Sequence, residues 1–183
     1  MLDFSHAGVP ASGGISIDLV NALITGIGKN TTGITGEGQV ESLIGSAGND
    51  LMRGTSGTKY FDGGAGGNDT FDVSAKADAT IKGTATGQNA LLFHDATSGV
   101  ALDMAKGSYQ SGSANGQFQN IASIKTTDFD DKITLNDKNA TISSGAGKDV
   151  ITGGTGDASI VAGSGDDEIS LQSGSQTSTY NVD

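Results

Sequence analysis

Ser144-Gly145-Ala146-Gly147-Lys148-Asp149-Val150-Ile151-Thr152 and Ala162-Gly163-Ser164-Gly165-Asp166-Asp167-Glu168-Ile169-Ser170 are two copies of one pattern. Each is a glycine-rich turn of six residues followed by a three-residue strand with isoleucine at its centre. Reading outward, the isoleucine recurs at 124, 133, 142, 151, 160 and 169. A step of nine belongs to neither a helix nor an ordinary sandwich. It marks one short unit stacked on copies of itself, each burying one apolar side chain against its neighbours. The residues flanking each isoleucine are mostly polar, as strand alternation requires if only the middle one points inward. Two places before each isoleucine stand Ala122, Asp131, Ala140, Asp149, Ala158 and Asp167. The apolar rung therefore repeats every nine residues and the carboxylate every eighteen.

The frame recurs earlier. Ile34, Leu43, Met52 and Phe61 are nine apart, and Phe71 follows after ten, with one inserted residue around Gly67. The residues two places ahead are Glu41, Asp50, Lys59 and Asp69. The unit Gly45-Ser46-Ala47-Gly48-Asn49-Asp50-Leu51-Met52-Arg53 has the same turn-then-strand form. Upstream of each ladder lies an alternating segment, Ile15–Leu19 or Val100–Met104, itself preceded by Phe4 or Phe93. This order of phenylalanine, strand and ladder predicts a tandem duplication. The expected modules are residues 1–88, with a ladder over 27–72, and residues 89–183, with a ladder over 120–170, joined through 73–119.

Composition narrows the function. Thirty glycines, 5% aromatics and no tryptophan imply a thin, repetitive core. A net charge of −11 with ten basic residues makes nucleic acid and anionic membranes poor partners and cations natural ones. The absence of cysteine excludes disulfides and thiolate metal sites. No apolar run reaches membrane-spanning length, and the N-terminal residues lack the features of a cleaved secretory signal. We expect a piece of a longer protein, extracellular or on the cell surface. His6 and His94 have no spaced partner and read as surface residues. No nucleophile elbow or phosphate loop is present, so the chain is expected not to be an enzyme.

Glycine adopts backbone angles closed to other residues and leaves carbonyl oxygens uncovered. Carbonyls with a carboxylate form an oxygen-only site suited to Ca2+, which takes six to eight oxygens at about 2.3–2.6 Å. The candidate carboxylate ligands are Asp50, Asp69, Asp131, Asp149 and Asp167. The candidate carbonyls belong to Gly45, Ala47, Gly63, Ala65, Ser144, Ala146, Ala162 and Ser164.

These units resemble the Gly-Gly-x-Gly-x-Asp-x-apolar-x repeats of the RTX, or haemolysin-type, calcium-binding family, with degenerate copies here. The resemblance implies an all-β parallel β-roll, a solenoid in which two nonapeptide half-coils make one right-handed coil and Ca2+ bridges successive turns in two columns. Carried onto this chain, it implies one-sided loading. Asp131, Asp149 and Asp167 stack in one column, while Ala122, Ala140 and Ala158 occupy the other. In the first module Asp50 and Asp69 share a column, and Lys59 on the opposite side opposes a cation. The 126–131 turn, Thr126-Thr127-Asp128-Phe129-Asp130-Asp131, departs from the pattern by having no glycine.

The expected function is a calcium-binding structural or spacer region of a secreted or cell-surface, adhesin-like bacterial protein that folds on binding Ca2+. One alternative is a non-catalytic accessory or inserted domain of an extracellular enzyme or filament, with other extracellular proteins or a polysaccharide as partner. A further alternative is a β-helix polysaccharide lyase, which would need arginine or lysine among clustered carboxylates. Arg53 is the only arginine.

Overall fold

The computed structural model describes residues 1–6, 13–26, 32–33, 40–172 and 179–182. Ile34, the first rung of the expected ladder, lies outside them. The described residues form two ten-stranded sheets and no helix. Sheet 1 runs β1 (Leu2–Asp3), β5 (Ser42–Ile44), β7 (Tyr60–Asp62), β9 (Thr80–Lys82), β13 (Ala114–Gln119), β12 (Ser108–Ser111), β11 (Val100–Asp103), β15 (Lys132–Leu135), β17 (Val150–Gly153) and β19 (Glu168–Ser170). Sheet 2 runs β20 (Thr179–Val182), β18 (Ala158–Ser164), β16 (Ala140–Ala146), β14 (Ile121–Lys125), β10 (Asn89–His94), β8 (Thr70–Ser74), β6 (Leu51–Arg53), β2 (Ser16–Asp18), β3 (Leu23–Thr25) and β4 (Thr32–Gly33). Within each ladder the chain alternates between the sheets, so that two strands and two turns complete one coil. The all-β parallel solenoid is thus the fold.

Parallel in-register pairing keeps the apolar rungs aligned. In sheet 1, Leu43 stands on Phe61 and Phe61 on Ile81; in sheet 2, Met52 stands on Phe71 and Phe71 on Leu91. All six are fully buried between the sheets. The second half continues the stack with Ile133 on Ile151 in sheet 1, and with Ile124, Ile142 and Ile160 in sheet 2. Burying each such side chain stabilises the fold by about 1.5–3 kcal/mol. One residue per half-coil is enough for a core because the next coil supplies the other side of the contact.

Residues 73–119 contribute β9 to β13, so both sheets run unbroken through the stretch between the two sequence ladders. Here sheet 1 gains an antiparallel meander, β11-β12-β13, whose last strand pairs with β9. A second meander, β2-β3-β4, lies at one end of sheet 2. The two are equivalent. Ile17 pairs with Ile24 and with Met52; Leu102 pairs with Tyr109 and with Ile133. Adding nine to a strand's number carries each pairing among β1 to β10 onto a pairing among β10 to β19. The shift is odd, so every strand of one sheet maps onto a strand of the other.

Candidate metal centre

The acidic positions lie where the chain crosses between sheets. Asp50 and Asp69 end the turns that enter β6 and β8, passing from sheet 1 to sheet 2. Asp131, Asp149 and Asp167 end the turns that enter β15, β17 and β19, passing from sheet 2 to sheet 1. The two sets therefore stack along opposite edges of the solenoid. In each set a carboxylate holds the coil before it. The Asp50 N–H donates to Asp69 Oδ1 at 3.0 Å, that of Asp131 to Asp149 Oδ1 at 2.9 Å, and that of Asp149 to Asp167 Oδ1 at 2.9 Å.

The other carboxylate oxygen separates two kinds of turn. Asp50 and Asp131, at the first rung of each column, have both oxygens engaged by protein donors. Asp50 Oδ2 accepts from the Ser46 N–H at 2.6 Å, and its Oδ1 accepts from Ser46 Oγ and the Ile15 N–H, both at 2.8 Å. Asp131 repeats the arrangement with the Thr127 N–H, Thr127 Oγ1 and the Val100 N–H. The hydroxyls of Ser46 and Thr127 each accept in turn from the N–H two residues on. These are hydrogen-bonded turns, and the one without glycine, 126–131, is among them.

Asp69, Asp149 and Asp167 differ. Their Oδ2 atoms are buried and have no hydrogen-bond partner, and Asp69 and Asp149 are wholly buried. An unpaired buried carboxylate oxygen costs several kcal/mol unless protonated or matched by a cation. Burial accordingly pushes the Asp69 carboxyl up to about 7, with the Asp50 and Asp62 charges adding to the rise. Burial raises that of Asp149 too, aided by the charges of Asp131 and Asp167.

Left-handed glycines at strand ends and in the turns shape the chain ahead of these carboxylates. Gly145 and Gly147 have φ of +107° and +115°, and a Cβ on Gly145 would lie 2.0 Å from the Thr127 carbonyl of the coil before. Stacking at that distance requires the missing side chain. A Cβ on Gly63 would likewise strike Asp69 Oδ2 at 2.0 Å, so glycine leaves that oxygen room.

The predicted carbonyls precede their aspartates in two ways. Gly45 and Ala47 before Asp50, and Gly63 and Ala65 before Asp69, lie in turns. Ser144 and Ala146 before Asp149, and Ala162 and Ser164 before Asp167, instead end the strands β16 and β18, which run further into the expected six-residue turns because their backbones pair in register. Several already accept one bond. Ser144 O accepts from Thr126 Oγ1 at 3.1 Å, Ala162 O from Ser144 Oγ at 2.9 Å, and Ser164 O from the Gly147 N–H at 3.0 Å. A carbonyl oxygen has a second lone pair for a cation. Among the described residues no three Asp, Glu, His or Cys side chains converge. A hard cation would therefore be held chiefly by carbonyls with one or two carboxylates, which matches the oxygen chemistry of Ca2+. His94 faces Asp72 at 2.8 Å, and His6 lies 2.9 Å from Ser5 Oγ.

A model of the RTX calcium-binding nonapeptide repeat, in four copies, matches residues 35–71, 125–160 and 143–175. The chain carries RTX calcium-binding nonapeptide repeats. The matched RTX segments contain Asp50, Asp69, Asp131, Asp149 and Asp167, and leave residues 72–124 unmatched. RTX repeats bind calcium, in keeping with the buried, unpaired oxygens. No curated protein matches the chain. Among the described residues no helix is long and apolar enough to cross a membrane.

Three features escaped the sequence reading. Ser46 and Thr127 cap their aspartates, a role recognisable from a hydroxyl residue four places ahead of the acid. Thr126 and Ser144 tie consecutive coils together. Asn89 continues the column of Asp50 and Asp69, and the ladder Phe71, Ile81, Leu91, now stepping by ten, points to it.

Proposed function

We propose that this chain is a non-catalytic, calcium-binding structural region of a secreted or cell-surface protein, in which Ca2+ completes the turns ending in Asp69, Asp149 and Asp167. The unpaired Oδ2 of each is the observation that carries the reading. The nearby carbonyls of Gly63, Ala65, Ser144, Ala146, Ala162 and Ser164 supply the remaining oxygens. Asp50 and Asp131 are assigned to hydrogen bonding instead, because protein donors already engage both of their oxygens. The equivalence of the two meanders supports two copies of one unit, 1–88 and 89–183. Calcium titration with counting of bound ions tests the assignment. Asp149→Ala should lower the number of ions. Asp131→Ala should leave that number unchanged while costing about 1–3 kcal/mol, because it strands the Val100 and Thr127 N–H groups. Equal loss of ions in both variants would place Asp131 among the ligands.

Protons and calcium compete for the same oxygens. The Asp69 carboxyl is raised to about 7 in the folded chain, above its ordinary value of 3.8. Without metal, the folded form thus holds a proton that the unfolded chain releases, so stability falls as pH rises from about 4 through about 7. With metal the dependence reverses, because the cation needs the ionised carboxylate and displaces the proton. Calcium affinity should therefore be stronger at pH 7.5 than at pH 5.5, with proton release visible as a dependence of binding heat on the buffer. Equal affinity at both pH values would count against Asp69 as a ligand.

A further inference from the structure

Asn89 occupies, in the first copy, the rung that Asp167 occupies in the second. It lies outside the matched repeat segments. One atom of its side chain behaves as in the aspartates: Asn89 Oδ1 accepts from the Asp69 N–H at 3.0 Å, as Asp167 Oδ1 accepts from that of Asp149. The other atom does not. Where Asp167 Oδ2 has no partner, Asn89 Nδ2 donates to Thr84 O and Asn120 O, both at 2.8 Å, and more weakly to Gly87 O at 3.4 Å.

Asn89 is fully buried, and its surroundings fix the orientation of the amide. Turning it over would set a carbonyl against three carbonyls and an NH2 against an N–H. The position is also comparable. A Cβ on Gly83 would meet Asn89 Nδ2 at 2.6 Å, as one on Gly63 would meet Asp69 Oδ2. A donor bearing partial positive charge, covalently fixed and facing turn and next-coil carbonyls, supplies what a cation supplies at a carboxylate rung.

We propose that the Asn89 amide is a built-in substitute for the metal ion, so that the turn over residues 83–89 closes without calcium and binds none. This inference rests on the calcium reading of the Asp69, Asp149 and Asp167 turns. It makes the middle of the solenoid a metal-independent rung set between calcium-dependent ones.

Counting calcium ions on the wild-type chain, Asn89→Asp and Asn89→Ala by native mass spectrometry and equilibrium dialysis tests it. Asn89→Asp should bind one ion more than wild type, and Asn89→Ala should bind the wild-type number. A wild type that binds no calcium would overturn the calcium reading and this inference with it. A wild type that binds calcium, with no gain in Asn89→Asp, would overturn this inference alone. Should Asn89→Asp fail to fold, anomalous scattering from calcium-loaded wild-type crystals decides. Peaks at Asp69 and Asp149 with none beside Asn89 support the substitution, and a peak among the carbonyls of Thr84, Gly87 and Asn120 overturns it.

Discussion

In EGTA this chain should lose most of its β-sheet signal by far-ultraviolet circular dichroism and regain it in millimolar calcium. Two carboxylates, Asp69 and Asp149, are fully buried, each with an oxygen that no protein group satisfies. The net charge of −11 opposes compaction, and thirty glycines raise the entropic cost of ordering the chain. A ligand that binds only the folded form at 100 times its dissociation constant contributes about 2.7 kcal/mol, so three such sites contribute about 8 kcal/mol. That equals much of the stability of an ordinary domain, about 5–15 kcal/mol. The melting midpoint should climb with calcium concentration. Spectra and melting curves that coincide in EGTA and in calcium would sink the idea that the metal drives folding.

The second large effect is in the core. Phe71→Ala should destabilise the calcium-loaded protein by about 3–5 kcal/mol. Phe71 is fully buried between Met52 and Leu91 of the neighbouring coils, and its ring meets that of Phe61 edge-on at 6.3 Å. Removing it opens a cavity that neighbouring coils, held in register by backbone hydrogen bonds, cannot close. Leu51, one residue before the next rung along, is 44% exposed. Its replacement by alanine should change stability by about 0.5 kcal/mol or less. Chemical denaturation in saturating calcium measures both, and comparable losses would mean that the strands are phased wrongly.

The solenoid was legible wherever the period was strict. Six isoleucines at a constant step specify inward side chains, strand phase and coil length together, because a slip of one residue would turn the whole set outward. The reading weakened at Gly67, where one inserted residue lengthens the unit to ten. Ile81 and Leu91 continue the ladder beyond it, but a frame held at nine passes over them. The meander β11-β12-β13 was only half visible. Its first strand alternates clearly, whereas Ser108–Ser111 and Ala114–Gln119 carry mostly small or polar residues and depend on neighbouring strands for their order. The carboxylates could be placed in columns from spacing alone. Which of them lack a partner could not, because Ser46, Thr127, Ile15 and Val100 reach Asp50 and Asp131 by hydrogen bonds that spacing does not encode.

The nine-strand shift that carries the strand pairings of the first half onto those of the second has a geometric consequence. An odd number of half-coils acts as a two-fold screw: each application advances the unit along the rod and also turns it over. A third copy generated by the same operation would face as the first does, so the true translational repeat of such a rod is two copies, not one. The flank that carries its acidic turns would then alternate from side to side. A neighbouring rod or a flat surface laid against one flank would touch acidic turns only at every other copy, so the screw disperses charge that an even shift would have concentrated along a single stripe.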